Sequence, residues 1–434
     1  MGFQQGLSGL NASSKSLDVI GNNIANASTV GFKGSRAEFA DIYAATFANS
    51  GTLAGIGARL DSVAQQFGQG NISTTSNPLD LAITGNGFYR VVDPNGSVSY
   101  SRNGQFQLDR NGYIVNGNQR LTGWPVDARS GLLNKGGVPQ PLQLTVGNVG
   151  ASATGASGLA NAGLAMITNL DGSKPVIDRT APPTGVGPLN VQDPSTYSDA
   201  TTASVYDAQG VRHSLTFYFT KTAPNQWEVQ TSFDGANPTP AMGTGTPPAQ
   251  AYLYFDGNGK LDTTSNPTTN AAGFNFTTTL AAPNGATSPF TFPVSFAKST
   301  QFGSAFGATY TQDGYADGTL TGISVDKSGI IVGSYSNSQT KVIGQVVLAN
   351  FANSQGLQPL GDNRWGETFA SGAANVGDPG SSNLGGLQSS ALEDSNVDLT
   401  GELVNLITAQ RNYQANAKTI SAQDTILQTL VNLG

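Results

Sequence analysis

The chain has 434 residues, length for about three domains with ample cores, yet only 11% of them are charged and 55 are glycine, so neutral small polar groups must cover much of the surface. With 21 basic against 28 acidic side chains, the formal net charge of -7 has the wrong sign and is too thinly spread for a nucleic-acid footprint. The absence of cysteine and a single histidine, His213, remove disulfides, thiolate metal sites, thiol nucleophiles and His-rich metal centres, so no cofactor is expected and nothing favours an enzyme.

No apolar run approaches the roughly 18 residues that span a bilayer, so membrane insertion is not expected. The opening MGFQQGLSGLNASSKSLDVI lacks the basic and apolar regions of a cleaved secretory signal, which predicts another route for a chain that works outside the cell.

From Phe3, alternating steps of four and three reach Leu7, Leu10, Ser14, Leu17, Gly21 and Ile24, the 3.5-residue period of a helical seam, and Val19 and Ile20 widen the stripe. Asn22, Asn23 and Asn26, with Gly21 and Gly31, read as a polar break after this helix. Beyond it, Phe32, Phe39, Tyr43 and Phe47 offer aromatic contacts, either within the chain or between copies.

Asn-Gly then recurs at 86, 95, 103, 111 and 116, with FYRVVD, SVSYSR, QFQLDR and YIV lying between those turns. That pattern predicts a β-meander. The Gly/Ala/Ser-rich stretch at 146–162 marks entry to an inserted β-domain. Its runs ASVYD, VRHSLTFYFTKT and WEVQTSF are hairpin strands, and it closes near FTFPVSF at 290–296. GISVD, IIVGSYS and KVIGQVVLANF resume the first β-block. At the far end the same stepping visits Leu399, Leu403, Leu406, Gln410, Tyr413, Ala417, Ile420, Asp424, Leu427 and Val431, the strongest periodic signal in the chain, with Asp398 as N-cap.

The predicted fold class is therefore mixed and mainly β with α-helical termini. The two terminal helices form a coiled-coil pair, and nested β-rich domains of barrel or sandwich type lie along an elongated subunit. The expected divisions are 1–30 with 390–434 (helical), 31–71 with 364–389 (connecting), 72–146 with 301–363 (β-rich middle) and 147–300 (inserted outer β-domain). Helix apolarity outside the seam, at Val404, Ile407, Ile426, Leu430 and Leu433, asks for a further partner, and identical copies are the economical source.

Chemical motifs are weak. The run from Asp256 to Asp262 has Lys260 at a calcium-ligand position and lacks the sixth-position glycine, so it reads as a hairpin turn. His213 lies in a strand-like run and reads as a surface strand residue. Asp80, Asp109 and Asp326 have no evident paired acid, which leaves glycosidase chemistry without support.

The stretches SGLNASSKSLDVIGNNIANASTVGFKGSRAEF (8–39) and ALEDSNVDLTGELVNLITAQRNYQANAKTISAQDTILQTLVNL (391–433) closely resemble the signature of the flagellar rod and hook axial protein family. So do NPLDLAITGNGFYRVVDPNGSVSYSRNGQFQLD (77–109), LTGWP, KVIGQVVLANFANSQGL and GDNRW, while the insertion resembles the family only loosely. Length and the large insertion point to the hook branch rather than to the shorter distal rod or other hook-associated branches. The resemblance implies a self-assembling homopolymer, a curved tube that serves as a universal joint and encloses an export channel. Its assembly surface would be the helical seam of Phe3, Leu7, Leu10, Leu17, Ile20, Ile24, Leu399, Leu403, Leu406, Tyr413, Ile420, Leu427 and Val431, with the connecting segment at Asn22, Asn23, Asn26, Phe32 and Phe39. It further implies a hook cap, a distal rod protein, a hook-filament junction protein and the flagellar type III export apparatus as partners, and an extracellular location at the flagellar hook and basal body. A secreted β-rich adhesin is the competing class, and it leaves the heptads at both extremities unexplained.

Overall fold

Five hairpins share one turn chemistry. Asp93, Asp109, Asp207, Asp256 and Asp326 each accept, through the main-chain carbonyl, the N–H of the glycine three residues on, at 2.9–3.0 Å. Those glycines, Gly96, Gly112, Gly210, Gly259 and Gly329, hold φ between 77 and 90°, a left-handed conformation that suits glycine. In four of the turns, at 109, 207, 256 and 326, the aspartate carboxylate also accepts two main-chain N–H groups across the turn. The run at 256–262 is thus a hairpin turn, with Asp256 held below the ordinary carboxylate range first by the N–H of Lys260.

The computed structural model describes residues 2–42, 57–127, 132–144, 148–157, 162–180, 185–237, 239–240, 252–262, 274–278, 285–286 and 288–433. The fold is mainly β with a helix at each end, α1 (Gly2–Ala25) and α2 (Leu399–Leu433). Between them the first strands are β1 (Ser35–Ile42) and β2 (Gly57–Gln65), which pair antiparallel with a bulge at Glu38/Phe39. Tyr43 and Phe47 lie outside the described residues.

The chain clusters into two units, one of Met1–Val146, Thr321–Ser334 and Thr340–Gly434, the other of Gly147–Leu320 and Tyr335–Gln339. In the first, the expected meander is interrupted: Phe88–Val92 pairs with Val98–Ser101 on one side, but its other neighbour is Gln119–Pro125, and Gln107–Leu108 pairs with Ile114–Asn116 and not with Val98–Ser101. Thr340–Val346 extends that sheet from Gln119–Pro125, and Arg364–Gly366 from Val98–Ser101. One core gathers Leu81, Tyr89, Phe106, Leu121 and Val346; a second packs Phe88, Tyr100, Phe351 and Trp365 edge to face. Two short pairings bring the late chain back to the early chain: Gly386–Ser389 on Leu81–Thr84, and Ala391–Glu393 on Ile72–Thr74.

The second unit holds two sheets around an aromatic core of Phe217, Phe219, Trp227, Phe292 and Phe296. One contains Asp199–Tyr206, Arg212–Ala223 and Gln226–Phe233; the other is built on Leu164–Asp171. Residues 301–320 belong to this unit and not to the middle block expected from the sequence. The reason is that Thr300–Phe302 and Gly307–Gln312 both pair with Leu164–Asp171 and complete its sheet. His213 is more enclosed than a surface strand residue. Its ring stacks on Phe233 at 4.9 Å, Nδ1 lies 2.6 Å from Asp234 Oδ2, and Nε2 lies 3.5 Å from Asp207.

Candidate assembly site at the terminal helices

The two terminal helices run antiparallel, with Gly6 beside Ile420, Gly9 and Ser13 beside Asn416, and Asn23 beside Glu402. Small residues make the close approach. A Cβ at Gly6 would meet Ile420 Cγ1 at 3.0 Å, and one at Gly9 would meet the Asn416 carboxamide at 2.8 Å. Asn416 Nδ2 donates to Ser13 Oγ at 3.4 Å, and Asn23 Nδ2 donates to Glu402 Oε1 at 3.3 Å. On its other side α1 meets the strand ribbon, where Ser8 Oγ accepts from Ala58 N–H at 3.4 Å.

This inner contact differs from the seam read by heptad stepping. Ile20 is buried at it, and Leu10, Leu17, Ile24, Leu406 and Ile420 are half-buried. Phe3, Leu7, Leu399, Leu403, Tyr413 and Leu427 are exposed, together with Val404, Ile407 and Ile426. The Val431 side chain lies outside the described residues. The large apolar residues thus form outward stripes, because glycine, serine, alanine and asparagine already fill the narrow space between the paired backbones.

The connecting residues also differ from a simple helix stop. Helix α1 continues through Asn22 and Asn23 to Ala25 because the buried Asn23 carboxamide fastens the next element: Nδ2 donates to Ser35 O and Oδ1 accepts from Ser35 N–H, each at 2.8 Å. Asn26 closes the last turn, its Nδ2 donating to Asn22 O at 3.0 Å. Phe32 is half-buried, and Phe39 on β1 is exposed beside Leu60 and near Val63 on β2.

Below the helix ends sits a buried ion cluster. Lys33 Nζ donates to Glu393 Oε1 at 2.6 Å and to Gly68 O at 2.7 Å; Arg102 Nη1 donates to Glu393 Oε2 at 2.9 Å. Gly70 N–H completes Oε1 at 2.9 Å, and the Arg102 guanidinium sits 5.6 Å from the Phe88 ring centre. Burial pulls the Lys33 ammonium below its ordinary value, against the opposing pull of Glu393. Close by, Asn396 Oδ1 accepts from Gly34 N–H at 2.8 Å and Nδ2 donates to Gln66 O at 2.6 Å. These bonds join the chain leaving α1 to the chain entering α2. Sequence reasoning passed over Lys33 and Glu393, although a charge lodged between Phe32 and Gly34 in so charge-poor a chain was a usable signal.

Between α1, the start of α2 and the start of β1 lies an open cleft of about 570 Å³. Its lining includes Val19, Ile20 and Ala409, with Asn23, Asn405 and Asn412. Among the described residues no cluster of acidic or histidine side chains is arranged for a metal, and no helix is long and apolar enough to cross a membrane.

Residues 3–33 match the family described as flagella basal body rod protein, 82–129 the flagellar hook protein FlgE/F/G D1 domain, 169–315 the flagellar basal body protein FlaE D2 domain, and 388–433 the flagellar basal body rod FlgEFG protein C-terminal family. Flagellar hook protein FlgE of Salmonella typhimurium is 43% identical over the full length of both chains, and that of Borreliella burgdorferi is 32% identical, covering 99% of this chain and 98% of its own. The crystal structure of Helicobacter pylori flagellar hook protein FlgE2 shares the fold, with a TM-score of 0.50 at 13% identity over 74% of this chain and 100% of that one. The chain belongs to the flagellar hook protein family and is a structural component of the flagellum, serving motility.

Proposed function

We propose that copies of this chain stack head to tail into the curved, flexible hook tube, which transmits torque from rod to filament as a universal joint and encloses the export channel. The terminal helices, 1–30 and 390–434, pair as a coiled coil and form the inner tube. Segments 31–71 and 364–389 connect them outward to the middle β-domain and the inserted outer β-domain. The carrying observation is the pair of outward apolar stripes, Phe3 and Leu7 on α1 and Leu399, Leu403, Ile407 and Leu427 on α2, which this chain leaves exposed. Uncovered apolar faces on the paired terminal helices, combined with a heterologous contact that does not close, generate a filament.

Hook cap, distal rod and hook-filament junction proteins cap and seed this polymer, and subunits reach it through the flagellar type III export apparatus. A surface with few charges suits joint motion, since neighbours that slide at each turn meet few directional ion pairs. The test is electron microscopy of purified protein seeded with rod tips and cap protein, together with expression in a motile bacterium lacking its hook gene. Tubes and restored swimming are expected; a single particle at every concentration, with no swimming, refutes the reading.

A further inference from the structure

The chain contains seven Asn-Gly pairs, and six of them lie wholly within the described residues; Asn284 lies outside. Asparagine is a thermolabile side chain, most so before glycine, which leaves the following main-chain nitrogen unshielded. Loss of the side-chain amide begins when that nitrogen gives up its proton and turns onto the asparagine Cγ. A hydrogen bond that engages the glycine N–H, or packing that fixes its peptide plane, slows this step. At Asn95, Asn111 and Asn258 the turn itself engages the nucleophile: the N–H groups of Gly96, Gly112 and Gly259 donate to the carbonyls of Asp93, Asp109 and Asp256 at 2.9, 3.0 and 3.0 Å.

At Asn86 and Asn103 packing fixes the peptide. Gly87 is buried against Leu384 and Leu348, and Asn86 O accepts from Gly385 N–H at 2.7 Å. Gly104 is buried too: an added Cβ would lie 1.7 Å from Leu81 O, and its carbonyl accepts from Leu81 and Phe106 N–H, each at 3.0 Å. The pair Asn116-Gly117 has neither restraint. Gly117 is exposed in the turn between Ile114–Asn116 and Gln119–Pro125, with nothing within 4 Å of an added Cβ. Among the described residues its N–H has no hydrogen-bond acceptor. The Asn116 carboxamide is held by one long bond, Nδ2 to Asn103 O at 3.3 Å.

We propose that Asn116 is a modification site, at which the folded chain converts asparagine to aspartate and isoaspartate without an enzyme. The Gly117 nitrogen bonds to Asn116 Cγ, the Cγ–Nδ2 bond breaks, and ammonia leaves with the proton that the glycine nitrogen gave up. Water then opens the five-membered imide at one of its two carbonyls, so the sum is amide plus water to carboxylic acid plus ammonia, with no oxidant or cofactor. The product changes its surroundings. Asn103 O loses its donor, and a third carboxylate enters a cleft of about 410 Å³ that Asp93 and Asp362 already line, with Arg364 as its one cationic lining residue.

The test is peptide mapping by mass spectrometry of the full-length chain, aged in mildly alkaline buffer with and without concentrated urea. Trypsin cuts after Arg110 and Arg120, so Asn111 and Asn116 fall in one peptide and are compared within it. In the native chain Asn116 should convert about fivefold faster than Asn95, Asn111 or Asn258, the factor set by a net hydrogen bond of about 1 kcal/mol on the glycine N–H. Asn86 and Asn103 should also lag. In urea the six pairs should convert at similar rates, which assigns the native ranking to the fold. Native conversion at any of the other five as fast as at Asn116 overturns the proposal. So does an Asn116 that stays intact in the native chain while it converts in urea, or one that leads by the same factor in both.

Discussion

Lys33 Nζ stands 2.6 Å from Glu393 Oε1, with both side chains almost wholly removed from solvent and 360 residues of chain between them. Arg102 holds the other carboxylate oxygen, so one anion serves two buried cations that belong to different parts of the fold. Glu393→Gln leaves both cations without their counter-charge, and a loss of about 3–5 kcal/mol is expected, the usual cost of breaking a buried pair. Lys33→Met removes a charge that burial already disfavours and leaves Glu393 with Arg102 and Gly70 N–H, so it should cost clearly less. Urea unfolding of the two variants checks the order, and equal losses would contradict it.

The same lysine sets an alkaline trend. Its folded-state pKa lies below the ordinary 10.5, so between those two values the unfolded chain binds more protons than the folded one. Stability contributed at Lys33 therefore rises with pH across that window and levels off above 10.5. Subtracting the alkaline stability profile of Lys33→Met from that of the unmodified chain should leave a positive slope; a negative slope would show that the ion pair outweighs desolvation.

Two glycines of α1 should answer alanine in opposite directions. At Gly21 nothing lies within 4 Å of an added Cβ, so Gly21→Ala should stabilise the monomer by about 0.5–1 kcal/mol through helix propensity. At Gly9 the Cβ would meet the Asn416 carboxamide at 2.8 Å, so Gly9→Ala should lose about 1 kcal/mol despite the same propensity gain. Thermal unfolding followed by far-UV circular dichroism separates the two. A stabilised Gly9→Ala would mean that the helices do not approach at this seam.

In the second unit, Asp313 works as a clasp. Burial opposes its charge, but Ser157 and the N–H groups of Gly155 and Gly163, at 2.8 and 3.1 Å from Oδ1, outweigh it and hold the carboxyl below its ordinary 3.8. A lowered folded-state pKa means that the stabilisation is complete above 3.8 and disappears as pH falls through the lowered value. Asp313→Asn should cost about 1 kcal/mol at neutral pH, since the site is partly open to water, and should flatten the acid limb of unfolding for this unit. An unchanged acid limb would assign that limb to other carboxylates.

How far the sequence carried these conclusions depends on whether each signal is local. Helix period and strand alternation are local, and the terminal helices, the individual strands of the first β-block and the long hairpin Arg212–Phe233 formed where those patterns lay, whereas the pairing order of that block, with Gln119–Pro125 returning to Phe88–Val92, is non-local. Turn chemistry was half legible. Asn-Gly marked hairpins at 95 and 111, yet glycine alone takes the left-handed conformation there, and aspartate three residues earlier organises the turn. Apolar patterning found Ile20 and Ile420 at the inner contact of α1 and α2, but counting large side chains cannot see the small partners that bring the backbones together there, Gly6, Gly9, Ser13 and Asn416. The Lys33–Glu393–Arg102 cluster was least legible, since its members come from three distant segments joined by non-local contacts such as the pairing of Ala391–Glu393 with Ile72–Thr74 and the Gly31 N–H on Glu393 O at 2.7 Å.

Removal of residues 399–434 separates assembly from folding. Trp227 is fully buried in the second unit and donates through Nε1 to Gln301 Oε1 at 2.7 Å, while Trp124 and Trp365, the remaining tryptophans, belong to the first. With Trp124→Phe and Trp365→Phe in place, emission reports the second unit alone. In that background the deletion should abolish tube formation while leaving the emission maximum and the denaturant midpoint of Trp227 unchanged. The physical basis is that, among the described residues, the core around Trp227 is drawn from residues 153–306 and includes none from α2. A shifted midpoint would show that α2 stabilises the second unit; tubes formed without α2 would remove the terminal helices from assembly altogether.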